Sequence, residues 1–279
     1  MKNTIYMDKY RFELKKEFRD KFNRINNKLF EYASEVYLAN LKDDSEKNDN
    51  FALFHLLEEN IEVKKNSENI EYPDIFMFEI FSSLILYLNT ENFYCKAINK
   101  DNILYRLGII EEACKNRYRL KQELKEIREV LEKEDDTQFF AGINESALVK
   151  CLFGNPHFRN EEFSRVERGF YLNGFINNLS IPVKIKEKIE NGNIEIIGEI
   201  DEEKIEKHSF FQKIKEKYNF IYILKINKKN EQIKDIFIEI NLKLGNRYEI
   251  IEVNKMKGSE IGNEENSSFD DNDFGDNRL

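Results

Sequence analysis

ILYRLGIIEEACKNRYRLKQELKEIREVLEKE, residues 103–134, is the stretch from which the fold is read. Apolar residues recur there at Leu107, Ile110, Ala113, Leu120, Leu124, Ile127 and Leu131. Steps of three and four mark one face of a helix, and the one step of seven falls where Arg117 stands in a place due to an apolar residue. Arg, Lys and Glu fill the other faces, so this helix meets water on one side and protein on the other. From Ile110 to Leu131 the spacing also fits about three heptads, the lower limit for a coiled coil. A helical hairpin within one domain accounts for the same pattern, with a homodimer through this face as the alternative. Asp101 is placed to cap the helix with its carboxylate.

Toward the N-terminus, Leu14, Phe18, Phe22, Ile25, Leu29, Ala33, Val36 and Leu41 lie three to five apart, which predicts a first helix over 8–41. Its basic residues are interleaved with Glu13, Glu17 and Asp20, and interleaved charge dilutes a phosphate-binding field. A polar loop (42–50), a short helix (51–60) and a second polar loop (62–71) follow. Pro73 suits a helix start. Residues 74–88 are apolar on nearly every side, the mark of a helix central to the core.

Toward the C-terminus, the acids of 132–137 oppose the helix macrodipole. With Gly142 and Asn144 they make 132–144 a candidate protease-sensitive junction. Asn144 is read as the cap of a short helix to 152. Gly154-Asn155-Pro156 signals a turn, and a further helix is predicted over 161–179. At Ile181 the period changes. Ile181, Val183, Ile185 and Ile189 alternate with Lys184, Lys186 and Lys188, so a strand with one buried face begins. Asn191-Gly192 between two alternating runs is a hairpin signal. A charged helix over 201–218 and strands over 220–226, 233–244 and 248–253 complete an antiparallel sheet. Residues 257–279 hold seven acids against Lys257 and Arg278, the composition of a disordered tail.

These readings give an α+β fold: a predominantly α-helical N-terminal region (1–179), a small antiparallel β-rich region (181–256) and a disordered acidic tail (257–279). The 279 residues suffice for one large domain or two small ones. With 23 Phe and no Trp, the core is built from Phe, Ile and Leu. A net charge of −9 argues against sequence-independent binding to nucleic acid. Cys95, Cys114 and Cys151 are far apart and odd in number, which fits a reduced, cytoplasmic setting rather than a disulfide framework. The N-terminal residues are charged and lack an apolar signal core, and the run 75–88 is too short to span a bilayer. No membrane association is expected.

Signatures of chemistry are sparse. His55, His157 and His208 have no ligand spacing, and no GxSxG, Walker A or GxGxxG occurs. No catalytic residue, metal or cofactor is expected. The leading reading is therefore a non-enzymatic, cytoplasmic regulatory protein that binds and sequesters a protein partner. It would act in the manner of an anti-σ factor, an antitoxin or a defence-operon subunit, with proteolytic cleavage between its parts as a control. Phe12, Phe18 and Phe22, with Leu120, Leu124 and Ile127, are the partner-binding candidates, because a few buried aromatics carry most of an interface. A second reading is a DNA-binding regulator whose residues 144–200 form a winged-helix-like element, with Arg159, Arg165, Arg168, Lys184, Lys186 and Lys188 on the nucleic acid. A third is a metal-dependent nuclease using Glu199, Asp201, Asp235, Glu239 and Glu249, with Lys225 or Lys243 nearby.

Overall fold

The computed structural model describes residues 7–41, 51–66, 68–69, 76–89, 94–133, 135–153, 168–176, 179–190, 193–205, 218–229 and 232–258. Residues 8–41 are not a helix. They form an antiparallel hairpin of β1 (Met7–Asp20) and β2 (Lys28–Leu41). On β1 the inward row is Tyr10, Phe12, Leu14, Lys16 and Phe18, with Arg11, Glu13, Lys15, Glu17 and Arg19 between them. That is alternation with one polar intruder. Lys16 can occupy the inner row because its Nζ donates to the Phe175 carbonyl at 2.7 Å, pairs with Glu252 at 3.3 Å and lies over the Phe175 ring. The apparent helical stripe continued through Phe22 and Ile25, which are 76% and 94% exposed in the hairpin loop. Asp20 closes that loop by accepting the Phe22 and Asn23 N–H groups at 3.0 and 3.1 Å.

The short helix read over 51–60 is likewise a strand, β3 (Phe51–Lys65), followed by the two-residue β4 (Glu68–Asn69). The apolar run 74–88 yields only one helical turn, α1 (Phe76–Glu79), before β5 (Ser83–Asn89). Burial alternates along β5, with Leu84, Leu86 and Leu88 inside and Ile85 and Tyr87 half-buried. A short run apolar on both faces suits a covered strand as well as a helix, and here the strand prevails. The three-residue β6 (Cys95–Ala97) pairs with β5.

The stretch 103–134 is helical but broken at the point where Arg117 interrupts the seam. α2 (Lys100–Ala113) and α3 (Tyr118–Leu131) flank it, and Arg117 itself is extended. The two fold against each other, joined by Arg128 and Glu111 through paired hydrogen bonds. Asn99, not Asp101, occupies the N-cap position of α2. Its amide serves the sheet instead, accepting from Ile85 N at 2.9 Å and donating to Ser83 O at 3.1 Å. The junction 132–144 is largely taken up by α4 (Thr137–Glu145), and Lys100 Nζ ties its start through Asp136 at 2.5 Å and Lys133 O at 3.1 Å. Asn144 lies inside α4 rather than capping the next helix. Its side chain accepts from Cys95 N at 2.8 Å and donates to Cys95 O at 2.7 Å, standing in for a strand beside the short β6. Ser146 caps α5 (Ala147–Leu152) by accepting from Val149 N.

The helix read over 161–179 fails where it is described, because 168–176 is β7 (Arg168–Ile176). Residues 161–167 lie outside the described set, as do the Asn191-Gly192 turn, 206–217 of the charged helix and 259–279 of the tail. The remaining elements are β8 (Leu179–Glu190), β9 (Asn193–Ile200), a one-turn α6 (Glu202–Ile205), β10 (Tyr218–Lys229), β11 (Gln232–Leu244) and β12 (Tyr248–Gly258). The β8–β9 pairing around 191–192 and the β10–β11–β12 succession match the strand pattern read from the sequence.

The described strands form one twelve-stranded sheet in the order β6-β5-β3-β2-β1-β12-β11-β10-β9-β8-β7, with β4 beside β3. Every recorded pairing is antiparallel. Two meanders, one from each end of the chain, meet at β1 and β12. Helices α2–α5 are inserted between them in sequence. The fold is therefore sheet-dominated throughout, which corrects both the predominantly α-helical region 1–179 and the confinement of strands to 181–256. Inward rows such as Phe220, Tyr222, Leu224 and Ile226 on β10 and Ile236, Ile238, Ile240 and Leu242 on β11 join the α2–α5 residues in one buried apolar cluster. Gly198 on β9 sits where a Cβ would lie 2.6 Å from Val183 Cγ1 and 3.0 Å from Tyr222 Cβ, so the close approach there requires glycine.

Candidate functional site

Between the N-terminal half of the sheet and helices α3–α5 the apolar packing is incomplete. A cavity of about 720 Å³ remains, within the size range of small-molecule sites. Phe12, Leu14, Tyr32, Leu56 and Leu84 form its sheet wall; Ile127, Val130, Phe139 and Ile143 form its helix wall. Phe30, Phe78 and Phe81 close one side, with the Phe78 ring 5.6 Å from that of Tyr32. Gly142 on α4 faces the same space, and a Cβ there would meet nothing within 4 Å. At the rim, Glu126 and Gln138 are exposed and Glu123 is half-buried.

One carboxyl reaches the inner wall. Glu58 on β3 is largely buried, and its Oε2 accepts from Tyr32 Oη at 2.6 Å and Ser34 Oγ at 2.7 Å. A bulge places it there. Strand register slips between Ala33 and Glu35, and the extra residue on β3 includes Asn60 at φ 51, a left-handed conformation that asparagine tolerates. Before the bulge the buried positions of β3 are even, as at Leu56; after it they are odd, as at Val63. Glu58 is the last inward residue before the switch, and Asn60 Nδ2 secures it by donating to Glu35 at 2.9 Å.

Burial pushes the Glu58 carboxyl above its ordinary range, while the Tyr32 and Ser34 hydroxyls pull the other way without cancelling the rise. Burial, together with the neighbouring carboxylate, raises the Tyr32 phenol as well. Among the described residues, Glu58 Oε1 accepts no hydrogen bond. A smaller cavity of about 350 Å³ is also lined by Glu58, together with Arg106. That guanidinium is engaged elsewhere, donating to Ser83 O at 2.7 Å and Ser82 Oγ at 3.3 Å. Among the described residues lining the larger cavity there is no Lys, Arg or His.

The residues singled out from sequence scatter with respect to this site. Phe12 and Ile127 line the cavity. Leu120 and Leu124 are buried in the core beside it. Phe18 stacks on Tyr248 at 5.8 Å, and Phe22 projects into solvent. Of the nucleic-acid candidates, Arg159 and Arg165 fall outside the described residues, and Arg168 begins β7 rather than lying on a recognition helix. Lys184, Lys186 and Lys188 form one row on β8, with Lys184 and Lys188 opposite Glu199 and Glu195 of β9. The nuclease carboxylates are dispersed. Asp201 is buried beside Lys204, Glu249 is held by Arg19 and Lys243, and β10 separates Glu199 from Glu239. Among the described residues no group of three His, Cys, Asp or Glu side chains is placed to hold a metal.

Sequence reading passed over Glu58, Tyr32 and Ser34, and took Gly142 only as part of a junction. Two signals bear on them. Asn60-Ile61 interrupts the alternation of β3, and Glu58 shares the parity of Leu56, so a strand reading would have put an acid on the buried face.

Comparison with protein-family models gives no match, and comparison with curated proteins gives none. Among solved structures, the chain is matched to one described as the structure of DynF from the dynemicin biosynthesis pathway of Micromonospora chersina. Identity is 8%, coverage is 91% of this chain and 81% of that one, and the TM-score is 0.20. At that score no feature of the fold is carried from one to the other.

Proposed function

We propose that the protein is a non-enzymatic binding protein that takes up the apolar part of a small ligand between its sheet and helices α3–α5. The single observation behind this is the cavity itself: about 720 Å³, walled by aromatic and aliphatic side chains, with one tethered carboxyl. Protein interiors ordinarily fill such spaces. An apolar void with a polar group set in its wall has the composition of a ligand site. Titration with N-phenyl-1-naphthylamine, a neutral fluorophore that brightens in apolar surroundings, tests it. Saturable one-to-one binding is expected; emission that rises only in proportion to the fluorophore added would overturn the reading.

Sequestration of a protein partner is the second reading, and Phe12 and Ile127 favour it because both line the cavity, where an inserted apolar side chain of a partner would meet them. A partner that co-purifies in one-to-one ratio and is released by the fluorophore would support this version. We also propose a cytoplasmic setting. It is supported by Cys95, Cys114 and Cys151 being buried and free, with burial pushing the Cys95 thiol up to about 12. No helix among the described residues is long and apolar enough to cross a membrane.

A further inference from the structure

The charge around the cavity narrows the class of ligand. This step rests on the binding reading above. Every ionisable carboxyl on the lining is acidic in the same sense: Glu58 inside, Glu123 and Glu126 at the rim, with no basic side chain among the described lining residues. A fatty acid or other anionic amphiphile would find no cation on this lining to receive its charge. A pure hydrocarbon would leave Glu58 Oε1 without a donor, and a neutral hydroxyl would supply a hydrogen bond that lacks the strength a charged donor adds. We infer that the cavity selects an amphiphilic cation, a hydrocarbon chain or ring carrying one amine, with its ammonium N–H donating to Glu58 Oε1.

Three features support that placement. Oε2 is held by Tyr32 and Ser34, so the carboxyl plane is fixed and the second oxygen is the one left for a ligand. Folding has already stripped much of the water from Glu58, so binding need not repeat that cost. Arg106, which lines the smaller cavity with Glu58, is committed to Ser82 and Ser83 and makes no ion pair with it. Glu126, exposed at the rim, then acts earlier, drawing a cation toward the opening and repelling anions. The hydrocarbon lies against Phe12, Leu56, Ile127 and Phe139.

Displacement of N-phenyl-1-naphthylamine by three probes of equal chain length separates the possibilities: dodecylamine, dodecan-1-ol and dodecanoate, each below its micellar concentration. Dodecylamine is expected to displace the fluorophore at a concentration about tenfold below dodecan-1-ol, with dodecanoate the weakest. In Glu58→Gln the amine should lose its advantage over the alcohol, and a circular-dichroism spectrum and melting transition like the wild type's certify that the variant is folded. Dodecanoate matching or surpassing dodecylamine on the wild-type protein would overturn the inference without any variant, as would an amine advantage that survives Glu58→Gln. If the fluorophore binds and the three probes are equal, the cation preference falls and the binding reading stands. If the fluorophore itself does not bind, the binding reading falls.

Discussion

Glu58 shows how a single residue can be both a structural liability and a handle for function. Its native carboxyl is raised by burial, so between the ordinary carboxylate value and the raised one the folded chain keeps a proton that the unfolded chain has released. Stability contributed at this position therefore falls as pH climbs through that window. Glu58→Gln removes the titration. The variant's urea midpoint minus that of the wild type should increase as pH climbs above the ordinary carboxylate range, then level off once the raised Glu58 carboxyl has also ionised. A difference that is flat across this range would contradict the protonation described. The residue was hard to find from sequence because its significance depends on parity, and parity depends on a bulge. Lys16 misled in a similar way. A lysine in an inner row breaks the alternation on paper, yet in the molecule Glu252 and the Phe175 carbonyl receive its charge.

At the scale of elements, what could be read depended on whether tertiary partners altered the local pattern. Strands β8 to β11 alternate through most of their length, so their period was legible; so was the helical stripe of α2 and α3, including Arg117 as the point of interruption, though not the chain's break there. Strands β1 and β2 were misread because Phe22 and Ile25, loop residues exposed to solvent, extend a spacing of three and four beyond the real element. Helix–sheet contacts left still less trace in sequence, since they rest on asparagines doing a strand's work. Asn144 satisfies both the N–H and the carbonyl of Cys95. Asn144→Ala leaves these partly buried groups unpaired and should cost about 1–3 kcal/mol in chemical denaturation. Asn144→Asp keeps the acceptor but sets a carboxylate oxygen against the Cys95 and Phe140 carbonyls that Nδ2 serves, and should cost at least as much. At Gly198 the constraint is steric: Gly198→Ala forces a methyl against Val183 and Tyr222 and should destabilise by about 1–3 kcal/mol, whereas an unaltered midpoint would mean that β8 and β10 can separate there at little cost.

For the whole molecule, the decisive feature is that β1 and β12, from opposite ends of the described chain, pair along eleven positions from Tyr10–Gly258 to Asp20–Tyr248. No local pattern reveals that pairing, because it joins residues more than two hundred positions apart. It makes one sheet of two meanders and leaves α3–α5 to cover the N-terminal half, where the cover is incomplete and the cavity remains. Gly142 permits a direct test. Leucine there has open space to enter and replaces a poor helix former within α4, so Gly142→Leu should fill part of the cavity while holding or raising thermal stability by up to about 1 kcal/mol. The most direct measurement is N-phenyl-1-naphthylamine titration of the wild type and Gly142→Leu side by side. Saturable binding to the wild type, weakened about tenfold or more in a variant that melts no earlier, is the expected result. Equal affinity for the two proteins, or no saturation with either, would contradict a ligand held between the sheet and these helices.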